Sequence, residues 1–157
     1  MAERSSMNCF IRPLRRADRQ AVRDICVQTA WLGEPGSGHI PDSWIWAEFW
    51  TRYFTDREPQ NSWSLCCDED GGVVGYLMGA ADAGRFDSYI PFLIPGIVLR
   101  AIRKRLLSRT ETRPATISML KSIASGEMSI PPNLARKYPA TMHIDILAEA
   151  RGHCYGA

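Results

Sequence analysis

The side chains best suited to chemistry gather in one stretch, HIDILAEARGHCYGA, residues 143–157. His143 and Asp145 are separated by a single residue, so on an extended strand they share one face. An imidazole and a carboxylate on one face can hold and move a proton, which is general acid–base chemistry. The same pair on a solvent-facing strand would do no chemistry. The sequence then runs Arg151, Gly152, His153, Cys154, Tyr155, Gly156, Ala157. A turn rich in small residues after a strand can aim several backbone N–H groups into one concavity, which suits phosphate oxygens. A plain surface turn is the alternative. Cys154 next to His153 invites a nucleophile reading, but sequence neighbours on a turn point apart and no third orienting group is evident.

Other candidates carry less. The five cysteines are Cys9, Cys26, Cys66, Cys67 and Cys154. Two of them are adjacent, and none has metal-ligand spacing to a histidine, so no metal is expected. The loop GEPGSGHIP, with His39, lacks the Gly-Lys-Ser/Thr ending of a phosphate loop and is read as a flexible connection. Arg100, Arg103, Lys104, Arg105 and Arg109 could attract phosphates or an acidic partner. A solvated helix face explains them equally, and without interleaved aromatics nucleic acid is not expected.

These residues must be positioned by a fold of ordinary composition. The chain has 157 residues, 45% hydrophobic and 23% charged, with a formal net charge of +2. That suits one α/β unit with a real core and argues neither for nucleic acid nor for an anionic membrane. The N-terminal MAERSSMNCF lacks the apolar stretch of a signal peptide, and a reducing, cytoplasmic location is expected. YIPFLIPGIVL (89–99) is about half the length needed to span a bilayer and carries Pro91 and Pro95, so no membrane span is expected.

Residues 9–14 read as a first strand, and Asp18 as the N-cap of a helix running to about Ala30. Asp42 or Ser43 caps a second helix. Its Trp46, Phe49, Trp50 and Tyr53 fall at i, i+3, i+4 and i+7. Those aromatics read either as a core stripe or as a cover over a substrate entrance. Trp63–Cys67 and Val73–Ala81, joined by an acidic turn ending in glycine, form a hairpin pattern. From 84 to 137 the pattern turns helical and loop-like, and ATMHIDIL returns to strand. The unit predicted over 1–157 is thus strand, two helices, hairpin, a helical insertion at 84–137, strand and turn.

That order, closing on Arg-x-x-Gly-x-Gly-like residues, resembles the GNAT superfamily of acyl-CoA-dependent N-acetyltransferases. The family pattern after its fourth strand is Gln/Arg-x-x-Gly-x-Gly/Ala, matched here at Arg151 and Gly156, with Cys154 at its middle glycine. The phrase YPATMHIDILAEARG (138–152) is similar to acetyltransferase-like domains of bacterial and animal O-GlcNAcases. The opening IRPLRRADRQAVRDI is also typical of the superfamily. The resemblance implies a mixed, mainly antiparallel sheet flanked by helices, with acetyl-CoA as cosubstrate and an amine as acceptor. It implies that the backbone at Ile146 and Leu147 pairs with the pantetheine arm. The turn from Arg151 through Gly152, His153, Cys154, Tyr155 and Gly156 to Ala157 would donate N–H groups to the pyrophosphate. Asp145 or His143 would accept the amine proton. The family pattern continues with further helices and strands, so the expectation is a domain shortened after the turn, open to self-association through its sheet edge. The alternative function is an inactive interaction module.

Overall fold

The computed structural model describes residues 9–33, 35, 40–67, 72–127 and 129–152. Four strands lie in sequence order: β1 (Cys9–Pro13), β2 (Ser62–Cys67), β3 (Gly72–Ala80) and β4 (Thr141–Ile146). Each pairs antiparallel with the next. Two helices, α1 (Arg19–Gln28) and α2 (Ser43–Asp56), intervene between β1 and β2, and both pack on one face of β3. Between β3 and β4 the chain forms α3 (Ala83–Arg103), α4 (Arg113–Ala124) and α5 (Pro132–Lys137). The hairpin turn 68–71 lies outside the described residues.

Strand alternation sends every second residue toward the helices. Tyr76, Met78 and Ala80 of β3 join Val22, Ile25 and Cys26 of α1 and Ile45, Phe49, Tyr53 and Phe54 of α2 in the core. The opposite sheet face keeps apolar groups in the open: Ile11, Trp63, Met142 and Ile144 are all exposed.

Asp42 caps α2 as expected, its carboxylate accepting from the Ile45 N–H at 3.0 Å. The same carboxylate accepts from Arg100 Nε at 2.7 Å, tying α3 to α2. One member of the basic run is therefore paired, and it also sits over the Trp44 ring; Arg103, Lys104, Arg105 and Arg109 are exposed. α3 continues through Pro91 and Pro95, although each costs a backbone hydrogen bond. Phe86, Ile90, Leu93, Ile97 and Ala101 recur along its buried side, and that burial outweighs the interrupted ladder. Among the described residues no helix is long and apolar enough to cross a membrane.

Asp18 departs from its expected role. It precedes α1 but makes no side-chain capping bond. Its carboxylate instead accepts two bonds from Arg12, at 2.6 and 2.8 Å, one from the Arg15 N–H and one from Ser64 Oγ. A paired guanidinium is the stronger partner, and it turns Asp18 away from the helix end. The sheet also makes Cys9 and Cys67 direct cross-strand partners, and a disulfide joins them. Sequence spacing offered no sign of this bond, because the partners stand 58 residues apart.

Candidate functional site

One cross-strand row of the sheet runs Arg12, Ser64, Tyr76, Asp145, one residue from each strand. All four face the helices. At the β4 end Tyr76 donates its phenol proton to Asp145 Oδ2 at 2.5 Å. His143, two residues away on the same face, brings Nε2 to 3.3 Å from that oxygen. The His143 ring lies edge-on to Tyr76, with centroids 5.5 Å apart, and beside Trp50 at 5.8 Å.

β4 can hold these groups close to β3 because residue 75 is glycine. A Cβ there would stand 3.0 Å from the Asp145 carbonyl oxygen and 3.1 Å from Ile146 Cγ1. Above the strand pair, α1 contributes Cys26 and the turn that follows it Thr29 and Ala30, while α2 contributes Trp46 and Trp50. With His143 and Asp145 they line a cavity of about 260 Å³. The aromatic stripe of α2 thus divides. Phe49 and Tyr53 are core, whereas Trp46 and Trp50 are half-buried walls of the cavity. The core reading of the stripe holds for Phe49 and Tyr53, while Trp46 and Trp50 pack against that core and also line the cavity.

The electrostatics follow from burial opposed by partners. Burial alone would raise the Asp145 carboxyl, but hydrogen bonds from His143 and Tyr76, and the His143 charge, bring it below the usual range. Asp145 is therefore ionised at neutral pH. Burial raises Tyr76 far above its ordinary value, reinforced by Cys26 and Asp145, so it stays a proton donor. Cys26 is pushed up to about 12 by burial, against a hydrogen bond from Tyr76 and with the Asp145 charge adding to the rise. A thiol so placed is a poor nucleophile. Nδ1 of His143 is buried and has no hydrogen-bond partner among the described residues. An unpartnered buried nitrogen beside an ionised carboxylate is what a proton acceptor requires.

The other expected site residues are placed differently. The Leu147 N–H donates to the Val74 carbonyl inside the sheet, at 2.9 Å. The Ile146 carbonyl points the other way and accepts from Arg151 Nε at 2.8 Å. Arg151 also donates to the Gly33 carbonyl at 2.6 Å, so its guanidinium bridges β4 and the turn after α1. Gly152 adopts a positive φ of 82° with open space beside it. His153, Cys154, Tyr155, Gly156 and Ala157 lie outside the described residues, as does His39 with most of its loop.

Tyr76, Cys26 and Thr29 were not singled out from sequence. Tyr76 alone had a usable signal, since a tyrosine on the inward side of a strand needs a partner for its hydroxyl. Cysteine and histidine spacing suggested no metal ligands, yet the fold places Cys26, His143 and Asp145 with their ligating atoms within 4.8 Å of one another. A larger, more open hollow of about 720 Å³ lies between the end of α2 and the start of α3. Its carboxylate Glu58 is already engaged by Tyr53, Asn61 and the Ala81 N–H.

No family model and no curated protein matches the chain. Four solved chains do. One is the crystal structure of SsHAT, at 26% identity and a TM-score of 0.65, covering 94% of this chain and 71% of that one. The chain has an acetyltransferase-like fold, and the likeness supports an acetyltransferase role.

Proposed function

We propose that the protein is an N-acetyltransferase of the GNAT type, moving an acetyl group from acetyl-CoA to a primary amine by direct attack. The observation that carries this reading is the half-buried His143–Asp145 pair lining the α1/α2 cavity, with an imidazole nitrogen unpartnered among the described residues. Acetyl-CoA supplies an activated thioester. The amine must reach it neutral, so a group in the cavity has to take its proton. Asp145, ionised and fixed by Tyr76, accepts from His143 Nε2–H and leaves Nδ1 as the basic nitrogen. Trp46 and Trp50 exclude water and offer ring faces that suit the ammonium form before it loses its proton.

The open edge of β4 fits the pantetheine arm. The carbonyl of Ile146 points away from β3, so an extended arm can pair there once Arg151 gives up that oxygen. Leu147 stays bound to β3 and holds the strand end in place. Arg151, Gly152 and the residues to Ala157 are proposed as the pyrophosphate turn.

Calorimetry with acetyl-CoA, followed by thiol release in the presence of primary amines, tests the reading. Saturable binding and amine-dependent thiol release are expected, and His143→Gln should remove the second while sparing the first. No binding at millimolar acetyl-CoA would sink it. A second reading, an interaction module, draws on the exposed Ile11, Trp63, Met142 and Ile144 of the outer sheet face. Concentration-dependent sedimentation of the chain together with absent acetyl-CoA binding would favour it.

A further inference from the structure

We propose that Cys26, His143 and Asp145 form a three-ligand site for a zinc-class divalent cation, which on binding takes the place of the amine in the cavity. The second half of this statement rests on the acetyltransferase reading; cation binding itself does not.

The donor set is one sulfur, one imidazole nitrogen and one carboxylate oxygen, all within 4.8 Å of one another. Tetrahedral zinc, with bonds of about 2.0–2.3 Å, spaces its ligand atoms roughly 3.3–3.8 Å apart. His143 Nε2 and Asp145 Oδ2 already stand at 3.3 Å. Only Cys26 Sγ has to approach, by no more than about 1.5 Å on the same geometry, which a side-chain rotation can supply. Thiolate with imidazole and carboxylate selects zinc or cobalt over magnesium and calcium, which prefer oxygen alone.

The mounting is rigid. Cys26 is 1% exposed on α1, and the other two ligands alternate on β4. The Tyr76 hydroxyl is bonded to Asp145 Oδ2 and also meets the Cys26 thiol, so it holds two of the three ligands as an outer-shell partner. Three protein ligands leave a fourth position facing the cavity of about 260 Å³, so the cation would be open to water or a small anion. As Sγ binds, its proton leaves to solvent. The Nε2 proton of His143 is lost there while Nδ1 takes one up, so the ring binds as neutral imidazole, and the His143–Asp145 hydrogen bond gives way to two metal bonds. The imidazole can no longer accept a proton from an amine.

The test uses the full chain, stripped with a chelator and titrated with Co²⁺ alone. A sulfur-to-cobalt charge-transfer band in the near ultraviolet is expected, saturating with added Co²⁺ and erased by competing Zn²⁺. Cys26→Ser should lose the band, while a Cys66→Ser, Cys154→Ser double variant keeps it. His143→Gln and Asp145→Asn, which leave the α1 core untouched, should weaken Co²⁺ affinity by roughly a hundredfold or more. Absence of the band in the native chain, or its survival in Cys26→Ser, overturns the site. Zn²⁺ should also inhibit amine-dependent thiol release, reversibly by chelator. A chain that shows the cobalt band but no thiol release under chelation keeps the metal site and loses the acetyltransferase reading.

Discussion

Asp145 closes one end of the cross-strand row and Asp18 is bonded to Arg12 and Ser64 at the other, and both carboxyls are held below their usual range. Their surroundings differ chiefly in one respect. Asp18 is enclosed by Arg12, the Arg15 N–H and Ser64, and every one of those donors closes on it. Asp145 is met by Tyr76 and His143, and beyond it lies a cavity and an imidazole nitrogen without a partner. Both carboxyls are depressed, although Asp18 is buried and Asp145 only half-buried, so charge alone does not separate a carboxylate that holds the fold from one proposed for chemistry. Saturation does. A fully partnered carboxylate can only hold the fold, whereas one whose partner keeps an unused nitrogen can pass a proton on.

The sharpest way to break this contrast is at the unsaturated end. His143→Gln should lower kcat for amine acetylation by about 10²–10⁴-fold. Its urea midpoint should stay near that of the native chain, because the glutamine amide can still donate to Asp145. Equal losses of activity and stability would make the two ends equivalent.

At the saturated end the reverse is expected. Asp18→Ala strands the Arg12 guanidinium and should cost on the order of 3 kcal/mol in urea unfolding. The kcat of the fraction that remains folded should not change. Acid provides a milder version of the same test. The hydrogen bonds from Arg12 depress Asp18 first, against burial, with help from the Arg15 N–H and Ser64. A depressed carboxyl contributes stability that is fully present above its unfolded pKa and is lost as pH falls through the folded value. Thermal stability should therefore decline below about pH 4, and Asp18→Asn should flatten that decline. An unchanged slope would mean that Asp18 is not the group responsible.

The smallest effect belongs to the link between the turn after α1 and the end of β4. Gly33 has a φ of 88°, and a Cβ on it would stand 3.0 Å from Arg151 Nη1. Gly33→Ala should cost about 1–2 kcal/mol and push the guanidinium off the Ile146 carbonyl. If the pantetheine arm pairs there, acetyl-CoA affinity should rise slightly or hold despite the lost stability. A clear fall in affinity would instead mean that Arg151 serves the pyrophosphate turn from its bridge between Gly33 and Ile146, and that the arm does not pair at the Ile146 carbonyl.

Much of the scaffold was legible because it rests on local rules. The shared face of His143 and Asp145 follows from strand alternation, the α2 cap from Asp42, and the β2–β3 hairpin from two apolar runs about an acidic turn. What escaped depends on register and helix rotation. Tyr76 faces Asp145 only because β3 and β4 pair Gly75 with Ile146, an alignment no local pattern encodes. Cys26 stood as one of five cysteines without metal-ligand spacing, and nothing in its neighbourhood says that it looks down on β4. Asp18 obeyed a capping rule in sequence, but in the fold it answers to the Arg12 guanidinium six residues back and to Ser64 on another strand. The Cys9–Cys67 pairing belongs to the same class, since it needs the β1–β2 register.

The β4 register has a last consequence, for how the strand exchanges its amide hydrogens. Leu147 bonds Val74, and the regular pairing that precedes it turns the N–H groups of Asp145 and His143 toward β3 as well. Those of Met142, Ile144 and Ile146 face the outer edge, where no described strand pairs with β4. Deuterium uptake along β4 should therefore alternate, fast at the even positions and slow at 143 and 145. The two residues proposed for the proton chemistry are anchored by the slow amides. Solvent can test the edge continually without loosening them.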